Sequence, residues 1–139
     1  NSNGIFAAGN VVCIHDLVDY VTMEGFIAGK NAANYALGRY KEDKHKISLI
    51  CGENIHNLIP HKINYNIIKN KNFMLQYRVN KLFEKKVKIE LVEDKKIVYS
   101  CIENYARPAE MITLDIIGEH LCKKVSKHCK EIKVRVVEL

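Results

Sequence analysis

Apolar and polar positions divide this chain near residue 40. Before it, apolar residues fall in one continuous run and then recur at helical spacing; beyond it they alternate in short bursts. The run Gly4-Ile5-Phe6-Ala7-Ala8-Gly9-Asn10-Val11-Val12 is bounded by glycines and predicts a fully buried strand of a parallel sheet. A turn follows at Cys13 to His15. Asp16 is placed to cap a helix running from Leu17 to about Leu37, with Asp19 favouring its positive end and Gly38 marking the stop. Within that helix Val21, Gly25, Ala28, Gly29, Ala32, Ala33 and Ala36 recur every three or four positions. One side is therefore lined by small residues. Each glycine costs about 1 kcal/mol of helix propensity, so something is expected to pack closely there.

The charged, aperiodic stretch Lys41-Glu42-Asp43-Lys44 predicts a linker over 41–45. Seven strand-like stretches follow: Lys46 to Cys51, Asn57 to Asn64, Asn72 to Val79, Lys86 to Val92, Lys96 to Glu103, Met111 to Ile116 and Glu131 to Val137. Alternation is clearest where Phe73, Leu75, Tyr77 and Val79 share one face while Gln76 and Arg78 share the other. Glu93-Asp94-Lys95 reads as a hairpin turn between two such runs. The expected class is α+β: a strand and helix over 1–40, then an antiparallel β-sandwich over 46–139, with immunoglobulin-like topology as one form of it.

Composition narrows the function. Of 139 residues, 47% are apolar, enough for one core beside a small helical piece. No run reaches the roughly 20 apolar residues of a membrane span, and no signal peptide is visible, which predicts a soluble, cytoplasmic protein. Because the sequence opens with Asn1 on what reads as a strand, it is expected to be a piece of a longer chain. The net charge is +6, but residues 1–40 carry −1, leaving +7 for the rest. Those lysines alternate with apolar residues, as in Val87-Lys88-Ile89-Glu90-Leu91, and read as solvated strand faces; without an aromatic-interleaved basic motif, nucleic acid is not expected as a partner. Five cysteines, an odd number without a CxxC, argue against a disulfide framework, and Cys13, Cys51 and Cys101 are expected to be reduced, buried thiols.

The candidate chemistry lies in the strand, turn and helix of residues 4–37. Gly9 lets the backbone approach a ligand, Asn10 stands at the carboxyl end of the strand, and the helix start around Asp16, Leu17 and Val18 offers backbone N–H groups and a partial positive charge. This much describes only an anion or carbonyl site. The run Gly4 to Val11, followed by Glu24-Gly25, Ala28-Gly29 and Ala32-Ala33, resembles the second flavin-binding fingerprint of the pyridine nucleotide-disulfide oxidoreductase family. Asn10 stands where that family has Asp, and its neutral amide can still bond a hydroxyl. The turn with His15-Asp16-Leu17-Val18-Asp19, together with Leu58-Ile59-Pro60, Tyr77-Arg78-Val79 and Arg107-Pro108-Ala109-Glu110-Met111, is similar to a bacterial branch associated with glycerol metabolism. The resemblance implies the end of a Rossmann-like FAD-binding domain and a β-rich C-terminal domain. It also implies Gly9, Asn10, Asp16, Leu17 and Val18 as FAD contacts, with NAD(P)H as the co-substrate of the whole protein. No GxGxxG and no CxxC occur, so this stretch is expected to be inactive alone.

Three further groups bear weighing. His120, Cys122, His128 and Cys129 are metal-capable but lack a zinc-finger spacing and are crowded by lysines, so a polar loop is the expectation. His15 beside Asp16 could be an acid/base pair, although the capping role of Asp16 leaves His15 as a turn residue. Arg107 reads as part of a turn leading into a strand rather than a partner contact. The competing functional class is a β docking module that joins a second subunit or another copy of the chain.

Overall fold

The computed structural model describes residues 4–39 and 45–139, so all but His45 of the expected linker lies outside the described residues. The chain divides into two units, Asn1–Glu42 and Asp43–Leu139, each described by itself.

In the first unit the expected strand does not form. Residues 5–8 have no regular structure and Gly9–Val11 make a 3₁₀ turn, with Val12 and Cys13 N–H groups donating to the Gly9 carbonyl at 2.8 and 3.2 Å. A buried strand needs neighbours on both sides, and no strand is present among the described residues of this unit. Helix α1, Val18–Ala36, is the long helix expected, and Gly38 ends it with φ +66°, a conformation open to glycine. The cap differs: Leu17, not Asp16, is the residue before the first helical turn, and no side-chain hydrogen bond caps it. No residue of α1 is buried.

The second unit has eight strands in two sheets. The larger has the order β3-β1-β8-β5-β6, from β1 (Lys46–Cys51), β3 (Lys62–Asn64), β5 (Val87–Glu93), β6 (Lys96–Glu103) and β8 (Glu131–Glu138). The smaller has the order β2-β4-β7, from β2 (Ile55–Ile59), β4 (Phe73–Val79) and β7 (Ile112–Ile116). All pairs are antiparallel except β1 with β8, so the wholly antiparallel expectation is corrected to a mixed sheet. The single strand expected over 57–64 is two: Pro60 has no N–H to continue a ladder, and the chain passes there from the small sheet to the large one. Short helices α2 (Tyr65–Ile68) and α3 (Gly118–Lys124) complete the unit.

Alternation puts one core between these elements. Ile47 and Leu49 of β1, Val87, Ile89 and Leu91 of β5, and Ile132, Val134 and Val136 of β8 point to the same side and join Leu58, Leu75 and Tyr77 of the small sheet in one buried cluster. Each large aliphatic side chain so buried contributes about 1.5–3 kcal/mol. The polar exceptions are instructive. Gln76 lies on the other face of β4 and donates to the Thr113 hydroxyl across the β4–β7 pair at 3.3 Å. Tyr77 is fully buried, and its hydroxyl has no hydrogen-bond partner among the described residues. Burial, then the negative groups at Cys101, Glu103 and Tyr99, hold that phenol well above its ordinary range. Tyr77→Phe removes an unpaired buried polar atom and should raise stability by about 1 kcal/mol in urea unfolding; a comparable loss would show that the hydroxyl has a partner.

Candidate functional site

Gly9 is the pivot of the first unit. Its φ of +71° places it in the left-handed region, and a Cβ there would come 2.9 Å from Val21 Cγ1. Its N–H donates to Glu24 Oε2 at 2.8 Å. The positive φ and the close approach of α1 are each a reason for glycine at this position. Glu24 was quoted in the sequence only as part of a pattern, and the structure makes it the anchor of the turn.

The same carboxylate oxygen lies 3.1 Å from His15 Nε2. The His15 side chain is fully buried, and among the described residues neither ring nitrogen has a partner in hydrogen-bond geometry. His15, expected as a turn residue, is thus part of the packing between turn and helix, close to Glu24. Cys13 is buried beside it in sequence. Asn10 is exposed, and its Oδ1 accepts the His15 backbone N–H at 3.3 Å.

Asp16, Leu17 and Val18 are exposed at the start of α1, where the Tyr20 N–H donates to the Leu17 carbonyl at 3.2 Å and no side chain caps the helix. Of the five candidate contacts, Asn10, Asp16, Leu17 and Val18 are accessible and Gly9 is committed to the helix. The exposed surface around them is apolar: Val11 is 82% exposed, Val18 74% and Phe26 73%, with Ile5, Ile14 and Leu17 also outside. On the small-residue face, a Cβ added at Gly25 or Gly29 would meet nothing within 4 Å. Of that face, Val21 packs closely, against the Gly9 turn, while Gly25 and Gly29 meet nothing among the described residues.

The other candidates separate. His120 and Cys122 are on helix α3, not in an extended loop; His120 is exposed and Cys122 is buried, its thiol 3.9 Å from the Tyr65 carbonyl. Cys129 donates to the Glu131 carbonyl at 3.4 Å. Burial and the neighbouring Glu93 carboxylate push its thiol up to about 11, so it stays protonated near neutrality. Among the described residues no group of three or more His, Cys, Asp or Glu is placed to hold a metal. All five cysteines are free, but Cys51 is exposed and Cys101 only half-buried, contrary to expectation: Cys51 is the last residue of β1, and Cys101 packs at the margin of the core from the edge strand β6.

Arg107 lies between two carboxylates, donating to Glu84 from Nε and Nη2 at 3.3 Å each and to Glu110 from Nη1 at 3.2 Å, with its guanidinium 4.6 Å from the Tyr105 ring centre. Arg78 donates to the Ala109 carbonyl at 2.6 Å and to the Pro108 carbonyl at 3.4 Å. The structure therefore joins two stretches singled out in the sequence, 77–79 and 107–111, in one arginine-held loop. No protein family, curated protein or solved structure matches this chain.

Proposed function

We propose that this chain serves as the C-terminal part of an FAD-dependent NAD(P)H oxidoreductase and is inactive without the rest of it. The observation that carries this reading is helix α1: nineteen residues long, none buried, with large apolar side chains exposed and two glycines facing open space. A helix with such a surface is built to be covered. On this reading it ends an FAD-binding Rossmann-like domain, and residues 46–139 are a β-sandwich C-terminal domain. The side-chain amide of Asn10 bonds a ribityl hydroxyl, and the start of α1 at Asp16, Leu17 and Val18 meets the flavin pyrimidine. FAD would supply the hydride acceptor; these residues hold and orient it. The resemblance of residues 4–33 to a flavin fingerprint supports the assignment, and five free cysteines agree with a reducing, cytoplasmic setting. No helix among the described residues is long and apolar enough to cross a membrane.

The test is the absorption spectrum of the longest natural polypeptide containing this chain, with and without added FAD. Oxidised-flavin bands bleached by NADH or NADPH are expected. Gly29→Leu, which meets no obstacle in the chain as it stands, should reduce flavin retention by at least tenfold there, because its side chain would intrude on the covering surface. A well-folded, flavin-free full-length protein would end the assignment.

A second reading, docking through the β unit, has its own observation. Strand β6 is an edge of the five-stranded sheet and exposes Ile97 and Ile102. If β6 joins two copies, sedimentation will show a dimer that Ile102→Lys dissociates; a concentration-independent monomer removes this reading.

A further inference from the structure

A cleft of about 580 Å³ lies in the second unit between α3 and the turn that leads from α2 into β4. Its size is that of a small-molecule site. Backbone contact fixes the two walls: at Gly118, the start of α3, an added Cβ would collide with the Ile68 and Lys71 carbonyl oxygens. The floor is tied reciprocally, Tyr65 Oη donating to the Cys122 carbonyl at 3.5 Å and Cys122 Sγ to the Tyr65 carbonyl at 3.9 Å. Lys69 and Lys71 line one wall and Lys123 the other, with Asn70 and Asn72 between them. Glu119 is the one carboxylate in the lining, and Lys123 lies 2.6 Å from it. Three ammonium groups against one carboxylate leave the cleft with a local charge of +2.

We propose that this cleft binds the phosphate group of a small soluble molecule. Lysine ammoniums are point charges that can surround a tetrahedral dianion from separate directions, whereas a planar carboxylate is matched by an arginine fork, and no arginine lines the cleft. Asparagine amides add neutral donors beside the charges, and Tyr65 offers a ring edge for the body of the ligand. The inference is independent of the flavoprotein reading, since no residue of the first unit lines the cleft.

Inorganic pyrophosphate is the probe, titrated into the whole chain and followed by backbone amide NMR. Saturable shifts are expected at Asn70, Asn72 and Lys123. The double variant Lys69→Gln/Lys71→Gln and the single Lys123→Gln should each weaken binding by roughly tenfold or more. These lysines are exposed, so the variants should keep the spectrum of a folded protein. The control pair Lys127→Gln/Lys130→Gln, on the separate basic cleft beside His45, should leave the affinity unchanged. Shifts that fail to saturate, or equal losses in both sets of variants, would reduce the effect to general charge attraction and overturn the proposal. A single-stranded oligonucleotide that binds more tightly than pyrophosphate and shifts both clefts together would overturn it in favour of a nucleic-acid surface.

Discussion

Replacing Gly118 by alanine should destabilise the second unit by about 3 kcal/mol or more, read from urea unfolding of the whole chain. The new methyl would overlap two backbone carbonyl oxygens, Ile68 and Lys71, far inside van der Waals contact, and lie 2.8 Å from the Ile68 carbonyl carbon. Backbone cannot swing aside as a side chain can, so α3 must separate from α2 or the turn after α2 must shift. Either movement opens the packing of Leu121, Cys122 and Ile68, all buried in the common core. Gly25→Ala is the contrasting substitution: it lies inside α1 with open space at the Cβ position, and alanine there should increase helix content by far-UV circular dichroism, with a gain of up to about 1 kcal/mol. Two glycines in one chain thus give opposite signs, one required by contact and the other awaiting it. Equal, small effects at both positions would mean that α2 and α3 do not pack tightly at Gly118.

The same contrast explains what the sequence disclosed. Strands β1 and β6 match their expected limits, and the Glu93-Asp94-Lys95 turn is a hairpin with Asp94 at φ +53°, because alternation and turn chemistry are local signals. For α3 the sequence predicts a polar loop, because lysines and a histidine outnumber its apolar positions. Yet Gly118, Leu121 and Cys122, the positions it buries, with buried Val125 just past its end, follow helical spacing and carry the signal of a helix. The parallel β1–β8 pair joins the two ends of the second unit, and nothing in either strand records its partner. In the first unit the apolar run at 4–12 has the composition of a buried strand, but composition cannot supply the sheet that would bury it. Of the candidate site, the helix and its exposed start were legible. The roles of Glu24 and His15 were not, because their contact with the Gly9 turn depends on a left-handed residue whose partners lie on another element.

Glu90→Gln should cost about 2 kcal/mol at neutral pH and should flatten the loss of stability in acid. Glu90 is buried on the face of β5 opposite the core, directly across from Arg135 of β8. Its Oε2 accepts from Arg135 Nε and Nη2 at 2.9 and 2.7 Å, and its Oε1 lies 3.0 Å from Lys88 Nζ. Burial alone would raise this carboxyl, but the bonds and charges of Arg135 and Lys88 outweigh it and hold the group below its ordinary range. The amide keeps the shape and loses the charge, leaving two cations facing a neutral group; because both are about one-third exposed, water recovers part of the cost. The sign in acid follows from the depressed value. The contribution is complete above the unfolded carboxyl range, about 4.3, and is lost as pH falls through the lower folded value. Glu93 adds to the same window: burial raises it, but the Ser126 hydroxyl and backbone N–H, with further help from Cys129 and Lys96, bring it down. Urea midpoints measured from about pH 7 to about pH 3 should therefore fall more steeply for the natural chain than for Glu90→Gln, and the two should converge at the acid end. Parallel curves would show that Arg135 and Lys88 leave the Glu90 carboxylate no more stable folded than unfolded, and the β5–β8 ion cluster would then be packing without electrostatic consequence.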